Sequence, residues 1–343
     1  MDTISAETMA GQRLMVGFDG TFFNDDLKWL VGTLRVGGLI LFSRNLEEPD
    51  QIRQLCQDCQ SYARQCGLPS LFIAIDQEGG QVARLKPPFT QFPGNPAMRD
   101  IEDAIRFARV TARELKDMGI NMDMAPVLDV APENTDSIMA QRAFGSDPQW
   151  VTALGTTVID HLQRRGVMAV AKHFPGIGRT VLDSHLALPD LDADMAALTN
   201  VDLVPFAAAI VNNVAGIMLS HIRYTAIDPM WPASLSPSVT TDLLRVQMGY
   251  RGVVMTDDLD MGAIKPGYDI DTAIERILLS DVDIALICHK GPDIEAAWEK
   301  IRRSTTEDAD LNDKGARSFR RILELKKSYL SGSWMQRYGL SAA

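Results

Sequence analysis

The stretch GVMAVAKHFPGIGRTVLDSHLALP, residues 166–189, decides how this chain is read. Its opening run, Gly166 to Ala171, is apolar and short, as in a strand buried on both faces of a parallel sheet. Lys172 and His173 follow at once, and then a segment rich in Pro and Gly that predicts a loop. Asp183 and His185 lie further along it, so four polar groups suited to acid/base or hydrogen-bonding work fall within fourteen residues. Polar side chains at the end of a buried strand, with a long loop behind them, mark the place where α/β enzymes put their chemistry.

Seven more runs resemble the first. They are Leu14–Phe18, Gly38–Phe42, Leu71–Ile75, Met122–Val127, Gly216–Leu219, Val253–Met255 and Ile284–Cys288, with the quoted one counted as Val167–Ala171. Helical periodicity falls between many of them: Pro49–Gln65, Ile101–Met118 closed by Gly119, Pro148–Arg165 closed by Gly166, Leu203–Val211, Val239–Gln247, Asp271–Leu279, Asp293–Arg303 and Leu311–Tyr329. Alternating strands and helices predict a parallel sheet. Eight repeats fit a closed (β/α)8 barrel, expected as one domain over residues 1–343 with a tail at 331–343. The competing open sheet would carry a Gly-rich dinucleotide loop after its first strand, and the sequence after Phe18, Asp-Gly-Thr-Phe-Phe, is not one.

Composition narrows the function. Hydrophobic residues make up 46% of the chain and charged residues 23%, an ordinary globular balance. The net charge of −11 repels phosphate backbones and argues against nucleic acid as a partner. The most basic stretch, Arg317 to Lys327, is read as one face of a final helix. No apolar run approaches the roughly 18 residues that span a bilayer. Asp2 and Glu7 break the basic-then-apolar order of a secretory signal, so a cytoplasmic location is expected. Cys56 and Cys59 are spaced like half a zinc site, but no second pair completes it, and helical periodicity makes them apolar fillers. No metal or cofactor is expected.

The residues just past each strand are polar: Asp19; Ser43 and Arg44; Asp76, Gln77 and Glu78; Asp129 and, after a loop, Arg142; Lys172 and His173; Ser220 and His221; Asp257 and Asp258; His289. In a barrel these positions converge on one mouth, giving a pocket suited to a carbohydrate. Several have plainer readings. Asp258 can cap a helix, Glu78 can pair with Arg84 or Arg44, and Asp129 can bond only the amides of a turn. His289 either lines the pocket or closes a turn, and His161 is a structural histidine on a helix.

KHFPGIGRTVLDSH resembles the signature of glycoside hydrolase family 3 in its β-N-acetylhexosaminidase branch. So do GGLILFSRNL (37–46), DQEGGQVARL (76–85), APVLDV (125–130), RAFGSDP (142–148), LSHIRY (219–224) and LLRVQMGYRGVVMTDDLDMGAI (243–264). The resemblance implies a barrel enzyme that removes terminal β-linked N-acetylglucosamine, from muropeptides or chito-oligosaccharides, through a covalent glycosyl-enzyme. It implies Asp257 as nucleophile, His185 as acid/base in a dyad with Asp183, and Asp76, Arg84, Arg142, Lys172 and His173 as sugar ligands. Other outcomes within reach of the same residues are a family 3 β-glucosidase, an N-acetylglucosaminide phosphorylase and, in a different class, a non-catalytic sugar-binding barrel.

The chemistry is coherent. A retaining glycosidase needs a carboxylate on one side of the anomeric carbon and a proton donor on the other. Histidine, with an ordinary pKa near 6.5, serves as acid and then as base, and does so on an exposed loop where a carboxylic acid would ionise. Gly176 and Gly178 are hinge positions for such a loop. The family pattern is KHFPGHG, whereas Ile177 occupies the place of its second His here, which puts loop anchoring in question.

Overall fold

The structure is a computed structural model and describes residues 5–184 and 188–332, together with Met335. Eight parallel strands close into a barrel: β1 (Leu14–Val16), β2 (Gly38–Leu41), β3 (Phe72–Ile75), β4 (Met122–Asp123), β5 (Met168–Phe174), β6 (Gly216–Leu219), β7 (Val253–Asp258) and β8 (Ile284–Ile287). Each pairs with its neighbour in sequence, and β8 closes on β1 with Ala285 opposite Leu14. This is the predicted (β/α)8 architecture.

The barrel is filled, not hollow. Every strand sends at least one buried residue into a common inner cluster, among them Met15, Ile40, Phe72, Met122, Met168, Met218, Met255 and Leu286. Unbranched methionine adapts to the irregular space where eight twisted strands meet. A second, larger cluster joins the outer faces of the strands to the helices.

Three strands depart from expectation, one of them β7, which runs past Met255 through Asp257 and Asp258. β4 is only two residues long because Pro126 has no N–H for the ladder; pairing resumes as a single bridge between Val127 and Lys172. β5 runs on through Lys172, His173 and Phe174, so the first polar pair of the quoted stretch sits on the strand itself and not beyond it. Several helical pieces were not foreseen, among them Ala6–Gln12, Asp25–Lys28 continuing into Trp29–Thr33, and Met195–Ala197 continuing into Leu198–Asp202.

The last helix, Ala309–Tyr329, closes the end of the barrel from which the strands start. Arg317–Lys327 lies on this helix, as expected, but its cations do not all face solvent. Lys326 is fully buried; its Nζ donates to Gln12 Oε1 at 2.7 Å and to the Gly37 carbonyl at 2.8 Å, and it lies over the Phe72 ring. Burial pushes its ammonium well below the ordinary lysine pKa. Cys56 and Cys59 are buried on the helix Pro49–Gln65 and pack in the core, and burial pushes the Cys56 thiol up to about 12.

Candidate active site

At the C-terminal ends of the strands lies a cavity of about 150 Å³, on the scale of one small ring. Asp76, Arg84, Arg142, Lys172, His173 and Asp257 all line it, with Phe42, Met218, Met261 and Cys288 as its apolar wall. Six of the eight residues singled out by sequence therefore meet in one place. Two larger grooves, of about 690 and 1040 Å³, lie at the opposite end of the barrel among helix ends, and neither is lined by any of these residues.

The floor of the site is an ion network. Lys172 Nζ is 2.8 Å from Asp76 Oδ1 and 2.7 Å from Glu78 Oε1. Arg84 holds the other Asp76 oxygen at 3.2 Å. Arg142 grips Glu78 with two bonds, Nε to Oε2 at 3.0 Å and Nη2 to Oε1 at 2.6 Å. Glu78 thus pairs with Arg142 and Lys172, and with neither Arg84 nor Arg44. Burial would raise both carboxyls, but Lys172 with Arg84 brings Asp76 well below the usual range, and Lys172 with Arg142 lowers Glu78. Lys172, in turn, is raised above an ordinary lysine: the two carboxylates outweigh burial. Such a network presents fixed donors and acceptors without needing to rearrange.

Asp257 stands on β7 at the edge of this network. Burial pushes its pKa up, yet His173, His221, the Asp258 amide and Lys172 together bring it below the ordinary value, so it is ionised at neutral pH. The Asp258 N–H donates to its Oδ1 at 2.8 Å. The buried His221 fixes the strand end by bridging Ser234 Oγ (2.7 Å) and the Asp258 carbonyl (2.8 Å). Asp258 itself is pushed up to about 6 by burial, offset by amide N–H bonds and reinforced by Asp260 and Asp257. It caps no helix from a distance: its Oδ1 accepts from Asp260 N and Cys288 N.

His173 is oriented by Asp129. Nδ1 lies 2.8 Å from Asp129 Oδ2, and Nε2 faces Arg142 Nη2 at 3.4 Å. Sequence reasoning left Asp129 as a turn residue; the missed signal is that APVLD ends level with KHF on the adjacent strand. Position past a strand misled for Asp19, which pairs with Arg44 out in solvent. His289, left open between pocket and turn, does not line the cavity and is 66% exposed beside Asp260. Among the described residues, Asp258, Asp260 and His289 bring possible metal-ligand atoms within 4.8 Å of one another. Asp260 already carries Lys265 Nζ at 2.7 Å and the His289 N–H, so we assign no ion there.

The loop behind β5 is tethered at several points. Ile177 N donates to Asp129 Oδ1 (2.8 Å), Ile138 N donates to the Thr180 carbonyl (3.1 Å), and Ala263 N donates to the Ser184 carbonyl (3.0 Å). Ala263 lies in the segment that follows Asp257, so this tether joins the loop to that segment. Asp183 precedes that last tether, and His185 lies outside the described residues. Gly178 is less a free hinge than a close approach: a Cβ there would meet the Val130 carbonyl oxygen at 1.9 Å.

The model of the glycosyl hydrolase family 3 N terminal domain matches residues 6–324. The chain belongs to glycosyl hydrolase family 3. Among family 3 relatives, a β-hexosaminidase A of Pseudoalteromonas piscicida is 36% identical over 323 residues, covering 83% of this chain and 54% of that protein. A β-hexosaminidase of Pseudomonas aeruginosa is 32% identical over 294 residues, covering 84% and 86%. The chain therefore spans about half the length of the first and most of the second. A family 3 β-N-acetylglucosaminidase structure from Paenibacillus sp. str. FPU-7 superposes with a TM-score of 0.93 at 35% identity, covering 96% of this chain and 64% of that one. No helix among the described residues is long and apolar enough to cross a membrane.

Proposed function

We propose that the chain is a retaining, exo-acting β-N-acetylhexosaminidase that releases terminal β-linked N-acetylglucosamine. The observation that carries this is the half-buried Asp257 carboxylate, held ionised at the edge of a ring-sized cavity whose floor is the Asp76–Lys172–Glu78–Arg142 network. The named activities of its family 3 relatives support the same substrate class.

In this reading the hydroxyls of one sugar ring bond to Asp76, Arg84, Arg142, Lys172 and His173. Asp257 attacks the anomeric carbon while His185 gives a proton to the departing glycosidic oxygen. A water then attacks the glycosyl-enzyme, His185 takes its proton, and Asp257 leaves. Asp183 orients the imidazole and stabilises its charged form. General acid/base help of this kind is typically worth about 10²–10⁴-fold. The natural substrate in the proposal is a muropeptide released from the cell wall, acted on in the cytoplasm.

A panel of aryl β-glycosides tests the reading. The N-acetylglucosaminide should be cleaved faster than the glucoside, and the product should be the free sugar whether or not phosphate is present. Inactivation with a fluorinated N-acetylglucosaminide, followed by peptide mass spectrometry, should place the label on Asp257; a label elsewhere overturns the assignment. His185→Ala should slow substrates with poor leaving groups far more than activated ones. Equal slowing of both would remove His185 as the proton donor.

A further inference from the structure

We propose that Asp129 is a positioning residue that sets the proton of His173 and pins the root of the following loop with one carboxylate; this rests on the function proposed above. Asp129 is fully buried, and its two oxygens do different jobs. Oδ2 faces His173 Nδ1 at 2.8 Å. Oδ1 accepts the backbone N–H of His173 at 3.3 Å and that of Ile177 at 2.8 Å.

The imidazole has little choice of tautomer. Arg142 can only donate, so the Nε2 it faces at 3.4 Å must accept. The ring proton is then on Nδ1, where the Asp129 carboxylate accepts it. The Nε2 lone pair is thereby turned toward Arg142 and the cavity that both residues line. An imidazole held this way accepts a hydrogen bond from a sugar hydroxyl without a rotamer search.

The second job concerns the loop. Ile177 is buried and its N–H is tied to Asp129, four residues beyond the histidine that the same carboxylate orients. Gly176 is held in the left-handed region at φ +125°, with its carbonyl accepting Tyr224 Oη–H at 2.9 Å. The loop that ends in Asp183 and His185 therefore starts from a rigid root, and that root shares its anchor with the sugar-facing histidine.

Two variants separate the jobs. In Asp129→Asn the amide oxygen can still accept both backbone N–H groups, but its NH₂ now faces Nδ1. The ring proton must move to Nε2, opposite the Arg142 donors. Nitrogen-15 spectra of histidine-labelled protein should show His173 changing from the Nδ1–H to the Nε2–H form. The kcat/KM for an aryl N-acetylglucosaminide should fall on the order of 10–100-fold, the effect of one misdirected buried hydrogen bond. The rate of tryptic cleavage after Arg179 in the loop should not change. In Asp129→Ala the loop anchor is lost as well, so cleavage after Arg179 should accelerate at least several-fold. An unchanged tautomer in the Asn variant, or unchanged cleavage in the Ala variant, overturns the proposal. Spectra and proteolysis do not depend on turnover, so a wild-type chain inactive on N-acetylglucosaminides would remove the functional reading while leaving this one to be judged separately.

Discussion

Replacing Lys172 with methionine should destabilise the protein strongly, and by an amount that depends on pH. Lys172 is 2% exposed and lies within 2.8 Å of two carboxylates, of which Glu78 is 2% exposed and Asp76 15%. With Arg84 and Arg142, the cluster holds three cations against two anions. Without Lys172 it is formally balanced, but Asp76 keeps only the single 3.2 Å bond to Arg84, and the two carboxylates lose the charge between them. Breaking a buried pair by removing one partner costs about 3–5 kcal/mol. In a chain of this size that is a fall in melting temperature on the order of 5–10 °C. In the wild type both carboxyls are lowered on folding, so their stabilisation is present above their unfolded values near 4 and fades only as pH falls below that. Lys172 is raised, so its part is complete below its unfolded value and fades only above about 10.4. Wild-type stability from this cluster is therefore flat between pH 6 and 8. In the variant, burial is no longer outweighed by the lysine, so the carboxyls rise, and proton uptake relieves them as pH falls. The deficit measured by thermal melts should be largest at pH 8 and shrink toward pH 6. A double variant with Asp76→Asn should recover part of the loss at pH 8. A single variant as stable as wild type, or a deficit equal at the two pH values, would refute the reasoning.

Three further outcomes follow from the loop. Gly178→Ala forces a Cβ into the Val130 carbonyl, so the loop must move while the barrel stays intact; kcat/KM should drop about 10²-fold, as for a misplacement near 1 Å, with the melting temperature nearly unchanged. Unaltered turnover would show that the loop seat does not matter. Asp202 is fully buried, bonded to Arg179 at 2.9 Å, and its Oδ1 has no hydrogen-bond partner; burial pushes it up to about 6. A carboxyl raised on folding contributes stability at low pH and loses it as pH rises through 6, so Asp202→Asn should stabilise by about 1–2 kcal/mol at pH 8 and by less near pH 6. Equal melts at pH 8 would count against it. Ile177→His restores the histidine of the family pattern but puts an imidazole where the side chain is 4% exposed. It should cost about 1–3 kcal/mol in denaturant titrations unless the ring finds a partner, and a gain in stability would show that it does.

The barrel was legible because a strand buried on both faces leaves an uninterrupted apolar run, and several of the predicted runs and helices coincide with observed ones: Gly216–Leu219, Pro49–Gln65 and Ile101–Met118. The site was legible for the same reason, since strand ends in a closed barrel converge. What position cannot tell is direction. Asp19 and His289 follow strands yet point to solvent, while Glu78 sits on a short ribbon and turns inward. Inside and outside differ by one residue of register, and only the closed structure fixes that register. Lys326 is a parallel case: on a helix rich in Lys and Arg, nothing local distinguishes the one lysine that closes the barrel floor.

Ile177 shows how far a side-chain pattern determines a loop. The usual histidine is missing, which suggested a weakened anchor. The anchor is instead a backbone N–H donating to Asp129, and any residue but proline supplies it. The isoleucine then fills the apolar cluster between strands and helices in place of a group that would need its own partner. The substitution therefore bears on whatever contacts the loop makes with the departing part of the substrate, and it leaves the root that carries Asp183 and His185 in place. If so, a comparison of Ile177→His with the wild type should find the larger change in leaving-group preference, measured as the ratio of kcat/KM for poor and activated aglycones. Hydrolysis of the activated aryl glycoside should stay within a few-fold. A loss of that activated rate as deep as in Gly178→Ala would mean that the side chain, and not the backbone bond to Asp129, seats the loop.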